Sequence, residues 1–394
     1  MTRPLEGLKV LDLSRYIAGP HCGMVLGDLG ADVVKVERPQ LGDDVRSFQP
    51  QAGGESLYFL MFNRNKWGMT LDFRNPEAQA LLRRLAGQAD VLIENFRPGT
   101  MERMGCGWGA LHAINPRLVM ARISGYGQAT SLANQPCFDG ITQASSGLMD
   151  LTGEPDRSPM LAGSYLVDYS TALYACIGIL AALQKRQLTG EGQMVDVSLM
   201  GSAASLLVTA IPEYAMKGIP VTRAGNRDHY TAPANAFRAK DGRWILIQAG
   251  NEALFPRFTD MIGRPELLDD PRFSTLAARM QNVEAAEALV ADWVESLTSD
   301  EVVAHLREAE IPCARIATIR EVVQNPYMRE AGNIIEVEHP TAGTVTMSGV
   351  VIKMGEPARV VPSPLLGQHT DAVLAGWLKL SPSEIAALKE AHVV

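Results

Sequence analysis

Asp168 is the titratable residue whose setting most favours covalent chemistry. It stands in GSYLVDYSTALYACIGILAAL, two residues before Ser170 and the start of a long apolar run. The free N–H groups and the dipole at a helix start favour negative charge, which predicts an ionised carboxylate. An ionised, desolvated carboxylate attacks acyl carbon, and on a thioester the product is an acyl-aspartyl anhydride. The same position also suits a plain N-cap that never meets substrate, and the residues alone leave both readings open.

A second pattern is basic residues recurring where strand-like segments end. Arg38 directly follows Glu37. Arg64 and Lys66 lie in NRNKWGMTLDF, Arg74 stands just after it, and Arg97 and Arg103 belong to ENFRPGTMERMG. Guanidinium grips phosphate by a two-pronged, permanently charged contact, and open α/β sheets bind ligands beyond the carboxyl ends of their strands. Such a cluster can hold an adenosine 3′-phosphate and a pyrophosphate, which together describe coenzyme A. For any single arginine, solvated surface charge is the alternative. Glu37 occupies the place where dinucleotide enzymes hold a ribose, but the first turn, SRYIAGPHCG, lacks the GxGxxG that lets a pyrophosphate approach.

Other chemistries lack their residues. The histidines (His21, His112, His229, His305, His339, His369, His392) are dispersed, with no HExxH, and Cys22, Cys106, Cys137, Cys176 and Cys313 form no CxxC pair. No metal, zinc site, disulfide framework or tightly bound cofactor is expected. Neither a GxSxG elbow nor a GxxxxGK[ST] loop occurs. A net charge of −8 argues against nucleic acid, although residues 1–125 carry 15 Lys/Arg against 13 Asp/Glu and are where a small polyanion would bind. MTRPLEGLKV has no apolar signal core, and Thr171–Leu183 falls short of the ~20 residues of a membrane span. A cytoplasmic protein without a membrane partner is the expectation.

These residues need a scaffold. At 394 residues with 46% hydrophobic content the chain exceeds one core and suits two or three domains. Lys9–Ser14 and Asp32–Glu37 read as strands around a helix beginning near Pro20 and ending at Gly30, a β-α-β unit that implies a parallel sheet. Pro76–Gln88 continues as helix, with Asp90–Glu94 and Leu118–Ile123 as strands. Ser170–Gln187, apolar over most of its surface, predicts a buried helix, and Gln193–Leu199 a strand or the lead into a further helix. Asp241-Gly242 within Ala236–Gln248 signals a hairpin. Helices are expected at Asn251–Ile262, Val283–Leu297, Ser299–Ala309 and Ser381–Ala391, with strands at Ile334–His339 and Thr344–Met354. The fold class is α/β: a doubly wound, Rossmann-like large domain over 1–200, a linker at 201–224, a smaller α+β domain over 225–330, and 331–394 returning to the large domain.

Several segments together resemble the family III coenzyme A transferases: PLEGLKVLDLS, LGDLGADVVKVERPQLGDDVR, NRNKWGMTLDF, ADVLIENFRPGTMERMG, ISGYGQ, DGITQASSGLM, TGEGQMVDVSL, the stretch around RAGNRDHY, and PLLGQHT. The resemblance runs nearly end to end. It implies that Asp168 is the catalytic carboxylate and that coenzyme A lies on the N-terminal domain near Arg38, Leu71, Arg74, Asn95, Phe96, Arg97 and Arg103. It implies an interlocked homodimer, with acyl-CoA and a small carboxylic acid as substrates. A glycine-containing loop excludes water in the family, and Gln248–Asn251 (QAGN) is its counterpart here, with a single glycine. One branch of the same superfamily, the α-methylacyl-CoA racemases, pairs the aspartate with a histidine base. The matching residue is Phe138, which disfavours racemisation. A coenzyme-binding protein without turnover is the remaining alternative. By family position alone, Tyr16, Phe48, Phe138 and the residues after Gly225 neighbour the acid pocket.

Overall fold

A computed structural model describes residues 3–355 and 360–394. They form two compact units: 1–148, 161–212 and 326–394 in the larger, 149–160 and 213–325 in the smaller.

The larger unit is built on six strands, β1 (Lys9–Asp12), β2 (Asp32–Glu37), β3 (Lys66–Thr70), β4 (Val91–Glu94), β5 (Val119–Ser124) and β6 (Met194–Ser198). They pair in the order β3-β2-β1-β4-β5-β6, every pair parallel. Alternate side chains enter two cores. Leu11, Val34, Val36, Leu92 and Met120 meet helix α2 (Pro76–Ala86) and the C-terminal helices, through Leu82, Leu85, Leu374 and Ile385. Val10, Val33, Val91, Ile93 and Val119 meet helix α1 (Ala18–Asp28) on the opposite face. Burial on both faces explains why these strands read as continuous apolar runs. The order reverses beside β1, so the chain leaves β1 and β4 towards opposite faces of the sheet, the place where doubly wound sheets bind ligands.

Several elements escape a sequence reading, two of them in the part of the fold that matters here. β3 (KWGMT) has no apolar run: Trp67 is 46% exposed, Lys66 is buried on an ion pair with Asp12, and Gly68 lies against Pro364. Helix α3 (Asp139–Ser146, DGITQASS) is short and polar. Helix α4 is longer than expected, Leu166–Thr189, and its 24 residues pass the length and apolarity of a membrane span, which corrects the estimate from Thr171–Leu183 alone. It is also buried on one side only. Val167, Ala172, Ala175, Ile179 and Ala182 join the sheet core, while Leu173, Tyr174 and Ile177 are 46, 44 and 61% exposed. After β6 the chain turns straight into a helix at Leu199–Ser205, so Gln193–Leu199 holds a strand and also leads into a helix. Near the C-terminus, strands Ile334–His339 and Gly343–Ser348 pair antiparallel.

In the smaller unit Ala234–Arg238 and Trp244–Gln248 form the hairpin, turned at Gly242 with φ +81°, and Cys313–Arg315 adds a third antiparallel strand. Helices Leu254–Met261, Val283–Glu295 and Ser299–Glu308 cover it through Phe255, Phe258, Val290, Val294 and Leu306. The last helix starts on a Thr298/Glu301 capping box.

Candidate active site

The crevice beside β1 is held open by a bridge between the two loops that flank it. Asn95, just past β4, accepts from the Arg15 N–H at 2.8 Å and donates to the Arg15 carbonyl at 2.6 Å. Tyr16 then adopts a left-handed φ of +66°, and its N–H reaches Asp43 Oδ1 at 3.2 Å. A bulky residue holds that conformation only when its surroundings fix it. On β4, Glu94 accepts from Arg122 Nε (2.7 Å) and from the Phe96 N–H (2.7 Å), which sets the start of the Asn95–Arg97 turn.

Asp168 lies in this crevice. It shares a cavity of about 240 Å³ with Tyr16, Asn95, Phe96, Arg97 and Phe138. It is not an N-cap: α4 begins at Leu166, and Tyr165 before it makes no side-chain cap. The cap comes from elsewhere in the chain. Asp139 Oδ2 accepts from the N–H groups of Val167 (2.8 Å) and Asp168 (3.0 Å), and its Oδ1 accepts from Gln143 Nε2 at 2.5 Å. Gln143 Oε1 in turn accepts from the Ala162 N–H at 3.0 Å. The buried pair Asp139 and Gln143, one turn apart on α3, thus fixes the segment that delivers Asp168.

That cap reverses the electrostatic expectation. The helix start is already neutralised by the Asp139 anion, so burial and the Asp139 charge together push the Asp168 carboxyl up to about 7. Asp168 is poised between its two forms near neutrality, and the expectation of a fully ionised carboxylate is corrected. Nearby groups do not share the proton. The Tyr165 hydroxyl, 3.2 Å from that of Tyr58, is driven up to about 12. His21, packed on the Tyr169 ring at 4.2 Å, is pulled down to about 4 by burial and by Lys66 and Arg64. Phe138, which meets the edge of Tyr16 at 5.4 Å, has no titratable atom to offer as a second base. Tyr16 also lies 6.3 Å from Phe48.

Beside this cavity is a larger one of about 730 Å³, lined by Glu37, Arg38, Arg74 and Thr100. Arg15 and Phe96 line both. Arg74 and Arg97 are exposed, and among the described residues neither guanidinium pairs with a carboxylate, the Arg74 backbone N–H alone reaching Asp72 at 3.1 Å. Arg38 pairs with Asp44 at 2.7 Å. Arg103 lines neither cavity and donates to Thr100 Oγ1 at 2.9 Å. The Leu71 side chain is fully buried, its N–H bonded to the Glu37 carbonyl.

Two expectations, for Arg64 and Lys66, are corrected by internal pairing. Arg64 is 1% exposed, forks onto Asp28 and donates to the Ser348 and Gly349 carbonyls, so it is structural. Lys66, the first residue of β3, is buried against Asp12 (2.8 Å), Asn63 and the Pro20 carbonyl, and burial pulls it down to about 8. Glu37 receives both prongs of Arg46 at 2.7 and 2.8 Å and is not free for a ribose. In the smaller unit, Gln248–Asn251 is tied within its own unit. A Cβ at Gly250 would stand 2.5 Å from Ala232 N, and Arg279 donates to the Gly250 carbonyl at 2.9 Å.

Asp139, Gln143 and Arg15 are site residues that sequence reasoning passes over. The first two carry a signal in the Asp/Gln spacing of DGITQ, and Arg15 in its place just beyond β1. Among the described residues no group of three or more His, Cys, Asp or Glu could hold a metal ion.

Comparison with known proteins agrees with this geometry. The model for CoA-transferase family III matches residues 5–370. The succinyl-CoA–D-citramalate CoA-transferase of Chloroflexus aurantiacus is 38% identical, over 100% of this chain and 98% of that protein. The human succinyl-CoA:glutarate CoA-transferase is 35% identical, over 100% of this chain and 90% of that protein. The crystal structure of a CAIB/BAIF family protein from Brucella suis superposes with a TM-score of 0.84 at 36% identity, covering 96% of this chain and 100% of that one.

Proposed function

The chain belongs to CoA-transferase family III and transfers coenzyme A between acyl-CoA and acids, and on that premise we propose that Asp168 is its covalent carrier. The observation that supports this is the single cavity shared by Asp168, Asn95, Phe96 and Arg97, joined through Arg15 and Phe96 to an arginine-bearing cavity large enough for the nucleotide.

The Asp168 carboxylate attacks the carbonyl carbon of the donor thioester, and the C–S bond breaks to give a mixed anhydride and the coenzyme A thiolate. The thiolate attacks the aspartyl carbonyl of that anhydride, expels the donor acid as its carboxylate, and leaves an aspartyl-CoA thioester. The acceptor carboxylate attacks this thioester and again frees the thiolate, which then takes the acyl group and restores Asp168. Each step exchanges one activated acyl bond for another, so the thioester's energy is kept. An epimerase acting at the α-carbon needs a second base across the substrate, and Phe138 provides none.

Arg38, Arg74 and Arg103 are assigned to the coenzyme's phosphates, and Asn95, Phe96, Arg97 and the backbone at Leu71 to its binding beyond the carboxyl ends of the strands, all on the larger unit. The acceptor is a small dicarboxylic or hydroxy acid, by analogy with the acids in the relatives' names. We take the enzyme to be a cytoplasmic, interlocked homodimer. The exposed apolar ridge of Leu173, Tyr174 and Ile177 on α4 supports burial against a second copy.

A panel of free acids offered with succinyl-CoA or acetyl-CoA, read by product mass, tests the assignment. Transfer to at least one acid is expected, with none in Asp168→Ala. Full transfer by Asp168→Ala refutes the carrier role.

A further inference from the structure

Arg15, with Phe96, lines both cavities, and its backbone is pinned by a side chain from the neighbouring loop. Asn95 bonds both its N–H and its carbonyl, and the left-handed Tyr16 follows it. The side chain, in contrast, is left at the surface of the crevice. Its guanidinium lies 5.5 Å from the Phe96 ring and 5.8 Å from that of Tyr16, within reach of both π-faces.

The charge around it is unevenly matched. Behind the crevice, Lys35 and Asp43 pair at 2.7 Å with neither side chain exposed, and Arg46 closes on Glu37, which is 1% exposed. Those pairs are part of the core. Asp44 differs: it is a single carboxylate, 28% exposed, on the short turn Asp44–Ser47, and two arginines converge on it. Arg15 Nη1 meets Oδ2 at 2.9 Å and Arg38 Nη2 meets Oδ1 at 2.7 Å. Two guanidinium groups around one small anion is the arrangement that recognises a phosphate. An exposed ion pair of this kind exchanges readily for a more highly charged ligand.

We propose that Arg15 and Arg38 form a clamp for a phosphate group of the coenzyme, and that Asp44 occupies the clamp as a displaceable internal anion when no phosphate is bound. The proposal rests on the coenzyme A reading above and adds Arg15 and Asp44 to it. Because Arg15 also walls the Asp168 cavity, engagement of the clamp sets the point from which the coenzyme's sulfur arm enters.

Calorimetric binding of free coenzyme A to the intact protein tests this without turnover, alongside steady-state kinetics with succinyl-CoA. Arg15→Met, which keeps the stem over the rings, is expected to weaken binding about tenfold or more, with a larger change in KM than in kcat, and Arg15→Lys to recover part of the loss. Asp44→Asn, which removes the competing charge, is expected to tighten binding severalfold, and that gain should shrink in the double variant. 3′-Dephospho-CoA identifies the phosphate. If Arg15→Met weakens it as much as coenzyme A, the clamp holds the diphosphate. If it is already weak and Arg15→Met weakens it no further, the clamp holds the 3′-phosphate. Unchanged affinity in Arg15→Met, or weaker binding in Asp44→Asn, overturns the clamp. Wild-type protein that binds coenzyme A but transfers it to no acid would instead overturn the transferase chemistry and leave the clamp standing.

Discussion

Replacing Asp139 by asparagine should move the acid limb of the pH–rate profile downward. Asp168 rises from an ordinary 3.8 to about 7, with burial the larger cause and the Asp139 charge the smaller. Neutralising Asp139 therefore removes less than half of that rise, on the order of one pH unit, and places the limb near 6. A nucleophilic carboxylate acts in its ionised form, so activity falls as pH falls through its pKa. At pH 6 roughly a tenth of wild-type Asp168 is ionised and roughly half in the variant, so kcat/KM relative to its high-pH plateau should be about fivefold higher. The substitution also has a structural cost. The introduced amide can turn its oxygen to the Val167 and Asp168 N–H groups only by presenting its NH₂ to Gln143, which must then flip and abandon the Ala162 N–H. One lost buried bond costs about 1–3 kcal/mol, which thermal denaturation would register. The assay is kcat/KM for succinyl-CoA and an accepted acid from pH 5 to 9. A folded Asp139→Asn variant with its limb still near 7, or above it, refutes the assigned source of the shift.

Further outcomes follow from the same geometry. Since Asp168 is raised in the folded protein, its ionisation weakens the fold as pH climbs from about 4 through about 7; Asp168→Asn should thus raise Tm at pH 8, with the gain vanishing towards pH 4. A Tm difference independent of pH would contradict this. Arg74→Ala should leave Tm nearly unchanged and raise KM for acyl-CoA about tenfold, because no carboxylate loses a partner and a phosphate contact does. Arg64→Ala should do the opposite, lowering stability by about 3–5 kcal/mol by stranding the Asp28 carboxylate, with KM little changed in whatever remains folded. Equal behaviour of the two arginine variants in denaturation and kinetics would show that their environments have been misassigned.

The contrast between Arg64 and Arg74 also marks how far the amino-acid sequence carries. Strands such as Asp32–Glu37 and Ile334–His339 declare themselves because burial on both faces, or pairing in a hairpin, imposes a local pattern. β3 does not, since its buried Lys66 is matched by Asp12 and its Gly68 by the close approach of Pro364, partners far away in the chain. Asp168 is visible from the long apolar helix whose first turn it occupies. Its ionisation is not, because the group that caps this helix lies 29 residues earlier in the chain. Arginines in equivalent-looking motifs divide by tertiary partners alone: Asp28 neutralises Arg64, whereas Arg74 faces the cavity without one. Local pattern locates candidate charges, and only packing decides which of them remain available to a ligand.

Trapping the covalent intermediate is the most direct test of the mechanism. Protein mixed with succinyl-CoA in the absence of acceptor, quenched in acid and digested, should yield a peptide carrying Asp168 with added mass equal to coenzyme A less water, or to the donor acyl group. The adduct should disappear when acceptor acid is supplied. An unmodified Asp168 peptide after incubation of catalytically competent protein with succinyl-CoA alone, or an adduct on a different residue, would contradict the account.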